Sequence, residues 1–301
     1  MPPRRPEQNT STTLPRRQLG RALRDARQKL GQTLEQAADT MGQVGRSTLN
    51  RLELGEIEKP KPYLIEFICK YYGLPDDDIE YLKALATQAN TKSWWQSSRD
   101  LLRKGFVTYL GLESAAEQLY VFQSLILPGL LQSADYAKAT ASGPFSTPDS
   151  EAAIDQLVAF RTQRASILTR KHKPVKGEFV ISESVLHTVV GSSRIMRGAL
   201  RHVADLSLRD NITVRILPGT AGFPAGDPVV PHIILDFPRG PRGITEPSVV
   251  YTETMVGSMF FEDKGDLELF RKIHEFVRNA SYEENESRDL LRQVAARRYE
   301  Q

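Results

Sequence analysis

The sequence predicts an α+β protein of more than one domain, with a five-helix all-α domain first and a larger α/β domain with a mixed sheet behind it. Three observations predict this division. The chain has 301 residues, which is enough for two domains of ordinary size. Short amphipathic patterns separated by glycines fill residues 15–89, and strand-like patterns are found only beyond residue 176.

The N-terminal helices are predicted from apolar spacing and from their start and stop signals. Residues 1–14 are rich in Pro, Thr and Arg, and we expect them to form a disordered basic arm. A first helix is then predicted around Gln18 to Leu30, and Thr33 followed by Gln36 is the capping-box pattern of a second. Three more helices are predicted near residues 46–54, 64–71 and 76–89, and Gly31, Gly42, Gly55 and Gly73 are the expected stops.

The larger domain is predicted over residues 113–284, after a helical connector at 90–112 and before a C-terminal helix at 285–301. In Ile212 to Leu217 the apolar residues alternate, which is typical of a half-buried strand. Long helical patterns lie between the strand patterns. The predicted strands are Gly177 to Ser182, Ile212 to Leu217, Pro231 to Phe237, Val249 to Glu253 and Met255 to Phe261.

Composition argues against several classes of protein. No apolar run is long enough for a membrane span, and nothing apolar follows the first basic residues, so we expect a cytoplasmic protein without a membrane partner. The single cysteine, Cys69, excludes a disulfide framework within the chain. The five histidines have no metal-ligand spacing, and we expect no metal, no cofactor and no enzyme activity. Asp236 and Glu253, which end two predicted strands, are the one carboxylate pair that could be neighbours at a sheet edge.

Charge is distributed unevenly along the chain. Residues 1–72 hold 13 Lys/Arg and 8 Asp/Glu, a net charge of +5, whereas the whole chain has only +3. Six cations and one anion lie between Arg16 and Lys29. This asymmetry indicates a polyanionic partner for the N-terminal end, and the alternative is a solvated helix face.

The segments Thr33 to Gly42 and Arg46 to Gly55 resemble the second helix and the recognition helix of the Xre/Cro-repressor helix-turn-helix family. The resemblance implies a lambda-repressor-like domain that binds double-stranded DNA. Two departures are that Leu34 replaces a glutamine common there, and that the turn looks one residue longer than usual.

Four later segments resemble actinobacterial, antitoxin-like (Scr-type) regulators that join an Xre-type domain to a C-terminal domain of unassigned mechanism. They are Pro128 to Ala137, Arg161 to Arg164, Val214 to Pro218 and Val249 to Glu253. The resemblance implies a transcription regulator.

Carried over from the repressor motif, the first turns of the recognition helix face bases in the major groove. Arg46, Ser47 and Arg51 are expected at bases, and Thr48 and Asn50 at bases or phosphates. An arginine fork matches guanine, and an asparagine amide matches adenine. Arg16, Arg17 and Arg21 are expected near backbone phosphates. The alternative for the recognition-helix arginines is that they only solvate a surface helix.

Arg27 and Glu53 correspond to a structural ion pair of the family, which orients the recognition helix; the alternative is that Arg27 is free in solvent. Leu130, Leu131 and Phe223 are candidates for a surface that receives a partner or ligand. The two leucines are equally consistent with core positions, and the loop that holds Phe223 with a disordered excursion.

The function predicted from the sequence is a sequence-specific DNA-binding transcription regulator, acting as a homodimer on a palindromic operator. Its C-terminal domain would supply dimer contacts and sense a small-molecule effector or a partner. The alternative is an antitoxin-like protein that binds a small cognate protein and autoregulates its own operon. An enzyme with an appended DNA-binding domain is less favoured.

Overall fold

The computed structural model describes residues 13–89, 102, 105–142, 150–239, 246–254 and 257–299. Within them the chain forms two compact units, one with residues 13–89 and 105–115, the other from residue 116 onwards. Residues 1–12 of the predicted arm (1–14) and residues 90–101, 103 and 104 of the predicted connector (90–112) lie outside the described residues. None of the described helices combines the length and the apolar character that a membrane crossing requires.

The first unit is entirely helical, as predicted. Its five predicted helices are present, and each of the first four is followed by the expected glycine. The sixth helix covers the end of the region that the sequence assigned to a connector. The helices are α1 Leu14–Lys29, α2 Leu34–Met41, α3 Arg46–Glu53, α4 Pro62–Tyr71, α5 Asp76–Ala89 and α6 Phe106–Ala115.

One apolar core joins the first five helices. It takes leucines from α1 and α3, isoleucines from α4 and α5, and Cys69, whose thiol has a pKa raised to about 12 by burial. At Gly20 the backbone of α1 lies against the end of α3. A Cβ built on Gly20 would be 2.5 Å from the carbonyl oxygen of Glu53 and 2.6 Å from that of Leu52. Only glycine permits this approach without a shift of the backbone.

The second unit contains a six-stranded mixed sheet of order β3-β2-β1-β4-β5-β6. The first three strands are parallel to one another, and the last three are joined by antiparallel pairing. The strands are β1 Gln118–Gln123, β2 Lys176–Ser182, β3 Ile212–Leu217, β4 His232–Asp236, β5 Val249–Thr254 and β6 Gly257–Phe261.

Strand β1 is central to this sheet, yet the sequence analysis missed it. Its apolar residues Leu119 to Phe122 form a run of four without alternation, because both faces are buried: Val121 and Phe122, on opposite faces, are each 3% exposed. Such a run cannot be distinguished by periodicity from part of a buried helix. Its neighbours β2 and β4 were predicted, and β1 lies between them.

The helices of the second unit lie between its strands in the chain, or after the last of them. They are α7 Ala134–Ala141, α8 Glu151–Ala165, α9 Glu183–His187, α10 Ser193–Leu206, α11 Lys264–Asn279 and α12 Glu284–Arg297, with 3-10 turns at Gly129–Leu131, Ser166–Leu168 and Gly219–Ala221. Helix α12 is hydrogen-bonded to the edge strand β3, since the Ile216 amide donates to Ser287 Oγ at 2.9 Å.

Two buried histidines form a polar chain where α11 contacts β1, β2 and β4. His274 Nε2 lies 3.0 Å from Glu178 Oε1, and its Nδ1 lies 3.4 Å from His232 Nε2. The remaining nitrogen of His232, Nδ1, is 3.0 Å from the Val230 carbonyl. His274 is 4% exposed. The sequence did not show that it contacts a second histidine, since the two are far apart in the chain.

The close approach at Gly20 predicts that Gly20→Ala destabilises the first unit by about 1–3 kcal/mol, the usual cost of an added methyl group in a packed interior. Gly198→Ala is the matched control, because Gly198 is also inside a helix but has no atom within 4 Å of the added Cβ. That control is expected to be neutral or to stabilise by up to about 1 kcal/mol. Denaturant unfolding of the two variants measures both effects, and equal stabilities would contradict the close packing.

The burial of His232 predicts a pH dependence of stability. Burial lowers the pKa of its imidazole to about 4, against about 6.5 in an unfolded chain. The unfolded chain therefore takes up a proton that the folded chain excludes. The resulting contribution to the free energy of unfolding is fully present above about pH 6.5. It is lost as the pH falls towards 4, by at most about 1.4 kcal/mol per pH unit.

Urea unfolding at several pH values between these limits measures the slope of the free energy of unfolding against pH. His232→Gln keeps a polar side chain that does not titrate, and its slope is expected to be smaller than that of the unaltered chain. Identical slopes would show that another group causes the pH dependence.

Candidate nucleic-acid interface

Local signals in the sequence position the turn between α2 and α3. Thr33 Oγ1 accepts from the Gln36 amide at 3.2 Å, and Gln36 Oε1 accepts from the Thr33 amide at 2.9 Å, which is the predicted capping box. Gly42 ends α2 with φ of 65°, a left-handed conformation that favours glycine. Val44 is 3% exposed and anchors the turn in the core, so α3 begins at a fixed point.

Helix α3 buries one side and presents the other to solvent. Leu49, Leu52 and Glu53 are buried, and they anchor the helix to the first unit. The opposite side carries all five residues expected at DNA. Arg46, Ser47, Thr48 and Arg51 are exposed, and Asn50 is half-buried.

The two arginines of this face have only weak partners. Arg46 Nη1 is 3.7 Å from Glu35 Oε1, and Arg51 Nε is 3.8 Å from Glu56 Oε2. The arginine side chains are 66% and 55% exposed. Exposed pairs of this length contribute little to stability, so either guanidinium can exchange its carboxylate for a base or a phosphate at small cost.

The predicted pair of Arg27 and Glu53 is present and buried. Arg27 Nε and Nη2 donate to Glu53 Oε1 and Oε2, each at 2.7 Å, and the two side chains are 9% and 2% exposed. Arg27 Nη1 also donates to the Gln32 carbonyl at 2.7 Å. The hydrogen bonds to Glu53 raise the pKa of Arg27 against the effect of burial. This geometry fixes the last turn of α3 to α1.

The three arginines expected at phosphates occupy different environments. Arg17 and Arg21 are half-buried on α1. Arg16 is only 9% exposed, and its Nη2 donates to the Ala89 carbonyl at the end of α5 at 3.4 Å. We therefore correct the expectation for Arg16: its guanidinium satisfies a carbonyl of the C-terminal turn of α5 and does not face solvent.

Of the candidate partner surface, only Phe223 is on the outside. Leu130 and Leu131 are 4% and 0% exposed, which corrects their assignment to a surface and places them in the core. Phe223 is 64% exposed in the loop after the turn Gly219–Ala221. The sequence could not distinguish these cases, because an apolar residue beside Pro and Gly fits both a loop and a buried turn.

The two carboxylates considered at one sheet edge are not neighbours. Strands β4 and β5 are antiparallel, with Ile233 opposite Tyr251, so Asp236 and Glu253 end the pair in opposite directions. Asp236 instead accepts from Ser248 and Arg271. Within the described residues, no group of three or more His, Cys, Asp or Glu side chains is arranged to hold a metal ion.

The buried ion pair predicts strong coupling between its members. Glu53→Gln leaves the Arg27 charge buried without a counter-charge and is expected to destabilise the first unit by about 3–5 kcal/mol. A double-mutant cycle with Arg27→Gln, measured by denaturant unfolding, gives the coupling energy. The exposed pair of Glu66 and Lys70, 2.7 Å apart, is the control and should show at most about 0.5 kcal/mol. Equal coupling energies for the two pairs would contradict the role of Arg27.

Comparison with known proteins gives two family matches along the chain. Residues 18–82 match a family of helix-turn-helix domains, which covers α2, α3 and the turn between them. Residues 106–293 match a family described as a domain of unknown function (DUF5753). Neither a curated protein nor a solved structure matches the chain significantly. Since the second match spans more than half of the chain, the chain belongs to the DUF5753 family.

Proposed function

We propose that this protein is a sequence-specific DNA-binding transcription regulator in which α3 enters the major groove. The single observation that carries the proposal is the exposed side of α3. It presents two arginines, an asparagine and two hydroxyl side chains on one short helix, within a domain that matches the helix-turn-helix family. Recognition helices of this class read base edges with the residues of their first turns.

The chemistry of each side chain supports this role. Arg46 and Arg51 can donate two parallel hydrogen bonds to guanine O6 and N7, and Asn50 can pair with adenine in the same way. Arg17 and Arg21 on α1 add affinity at phosphates, which depends on salt but does not select a sequence. The resemblance of α2 and α3 to the Xre/Cro-repressor motif supports the same assignment.

The second unit is proposed to supply dimer contacts and the regulatory input. A single helix-turn-helix domain binds weakly, and two half-sites one turn of DNA apart, about 34 Å, need a dimer to align both domains. A homodimer on a palindromic operator follows from this argument. Genome-wide footprinting of the tagged full-length chain tests the function directly, because it gives the operator and its symmetry; the absence of any preferred site would overturn the proposal.

An antitoxin-like role is a second candidate, favoured by the exposed aromatic ring of Phe223, which offers an apolar contact for a small cognate protein. The two roles differ in what stays bound to the chain after purification from its native host. A stoichiometric small protein supports the antitoxin-like role, and its absence supports regulation by a small molecule.

The arginines of α3 predict a test that separates sequence readout from general affinity. Arg46→Ala and Arg51→Ala are each expected to cost about 1–3 kcal/mol on the operator and little on random DNA. Arg17→Ala is expected to weaken binding to both DNAs and to lower the salt slope. Fluorescence anisotropy with operator and random duplexes at several salt concentrations measures all three.

Arg201→Ala is the control, because Arg201 is an exposed arginine of the second unit and its replacement changes the net charge by the same amount. If Arg46→Ala loses equal affinity for operator and random DNA, Arg46 contacts phosphates and not bases.

A further inference from the structure

Two arginines of α8 contact α7 and the segment that precedes it. Arg161 Nη1 donates to Thr140 Oγ1 at 2.6 Å and to the Ala137 carbonyl at 3.2 Å, and Gln132 Oε1 lies 3.4 Å away. One turn further along α8, the guanidinium of Arg164 lies against Gly129. A Cβ built on Gly129 would be 3.0 Å from Arg164 Nη1. Both guanidinium groups therefore pack against the short segment from 129 to 132.

Arg161 keeps donors that the protein does not use. Its three acceptors are all neutral: a hydroxyl, a backbone carbonyl and an amide oxygen. Only Nη1 makes these contacts, and among the described residues Nε and Nη2 have no acceptor, nor is any carboxylate within ion-pair distance of the guanidinium. The side chain is half-buried, and Nε and Nη2 are not closed off from solvent, so a solute can reach them.

This arrangement has an electrostatic cost. Burial lowers the pKa of Arg161, and the like charge of Arg164 lowers it further, while Glu253 acts in the opposite direction. Arginine nonetheless stays charged in proteins. A partly desolvated guanidinium whose acceptors are all neutral is stabilised when an anion binds to its unused donors.

Two side chains of strand β5, Tyr251 and Glu253, interact electrostatically with these arginines. Tyr251 is 2% exposed, its hydroxyl lies 3.1 Å from Ser258 Oγ, and its pKa is raised, mainly by burial. Tyr251 is paired with Ile233, so it points to the face of the sheet opposite His232. Arg164 acts electrostatically on Tyr251, and Glu253 acts on both Tyr251 and Arg161, so the charges of α8 and β5 are close enough to interact.

We infer that Arg161, with Arg164 beside it, forms a binding site for a small acidic ligand, and that a carboxylate or phosphate group of this ligand occupies the unused donors. Guanidinium groups bind both anions through paired hydrogen bonds. The two guanidinium groups lie one turn apart on α8 and match the size of a single anionic group, which favours a small molecule over a protein surface. The inference deepens the proposed sensing role of the second unit and rests on it only for the biological purpose of the site.

Isothermal titration of the full-length chain without DNA tests the site independently of DNA binding. Inorganic phosphate is one probe and citrate is the other, which distinguishes phosphate from carboxylate ligands, and sodium chloride keeps the ionic strength constant. Duplex DNA is titrated into the same variants in a separate experiment. Loss of DNA binding alone would then concern the proposed function, and loss of anion binding alone would concern this site.

Saturable binding of at least one probe is expected for the unaltered chain. Arg161→Gln is expected to weaken it about tenfold or more, since it removes a charged donor. Arg161→Lys keeps the charge but loses the planar, two-pronged guanidinium. Its affinity is therefore expected to lie between those of the unaltered chain and Arg161→Gln. Arg201→Gln, which alters an exposed arginine of α10, should bind like the unaltered chain.

Two results would overturn the inference. One is the absence of saturable binding of both probes at millimolar concentration. The other is equal affinity of Arg161→Gln and the unaltered chain, which would assign the binding to general surface charge. Circular dichroism of each variant confirms that it is folded, and Arg161→Lys keeps the test valid if Arg161→Gln unfolds.

Discussion

The buried contact between Arg27 and Glu53 determines where the recognition helix lies. Glu53 is the last residue of α3, and both oxygens of its carboxylate accept from one guanidinium of α1. Arg24 adds a bond from its Nη2 to the Glu53 carbonyl at 3.3 Å, and Gly20 lets the two backbones meet. Because α3 has only eight residues and is not stable alone, these contacts with α1 hold its exposed face in a fixed orientation.

The second unit combines an apolar sheet with polar clusters on opposite faces. On one face α11 covers the two buried histidines and Glu178, and their donors and acceptors contact one another in a chain. On the other face, Arg161 has donors without an acceptor among the described residues. The first cluster is held by contacts between protein groups, whereas the second has donors available to a ligand. This difference distinguishes a structural cluster from the candidate site.

Most of the helix-turn-helix unit could be predicted from local sequence signals. The capping box of Thr33, the stop at Gly42 and the exposed positions of α3 depend on residues a few places apart, and the structure has them as expected. Arg16 could not be placed in this way. Its spacing resembles that of the other basic residues of α1, but the end of α5, which accepts its hydrogen bond, is 73 residues away in the chain.

The sequence by itself determined the helical N-terminal unit, five of the six strands, and the residue types on α3, because periodicity, capping and glycine stops act over short distances. Only the tertiary structure decided that β1 is the centre of the sheet, that Leu130 and Leu131 are buried, and that Arg161 and Arg164 meet the segment before α7. Burial and pairing of this kind depend on residues brought together by packing, and no pattern within a single segment records which partner a side chain will contact.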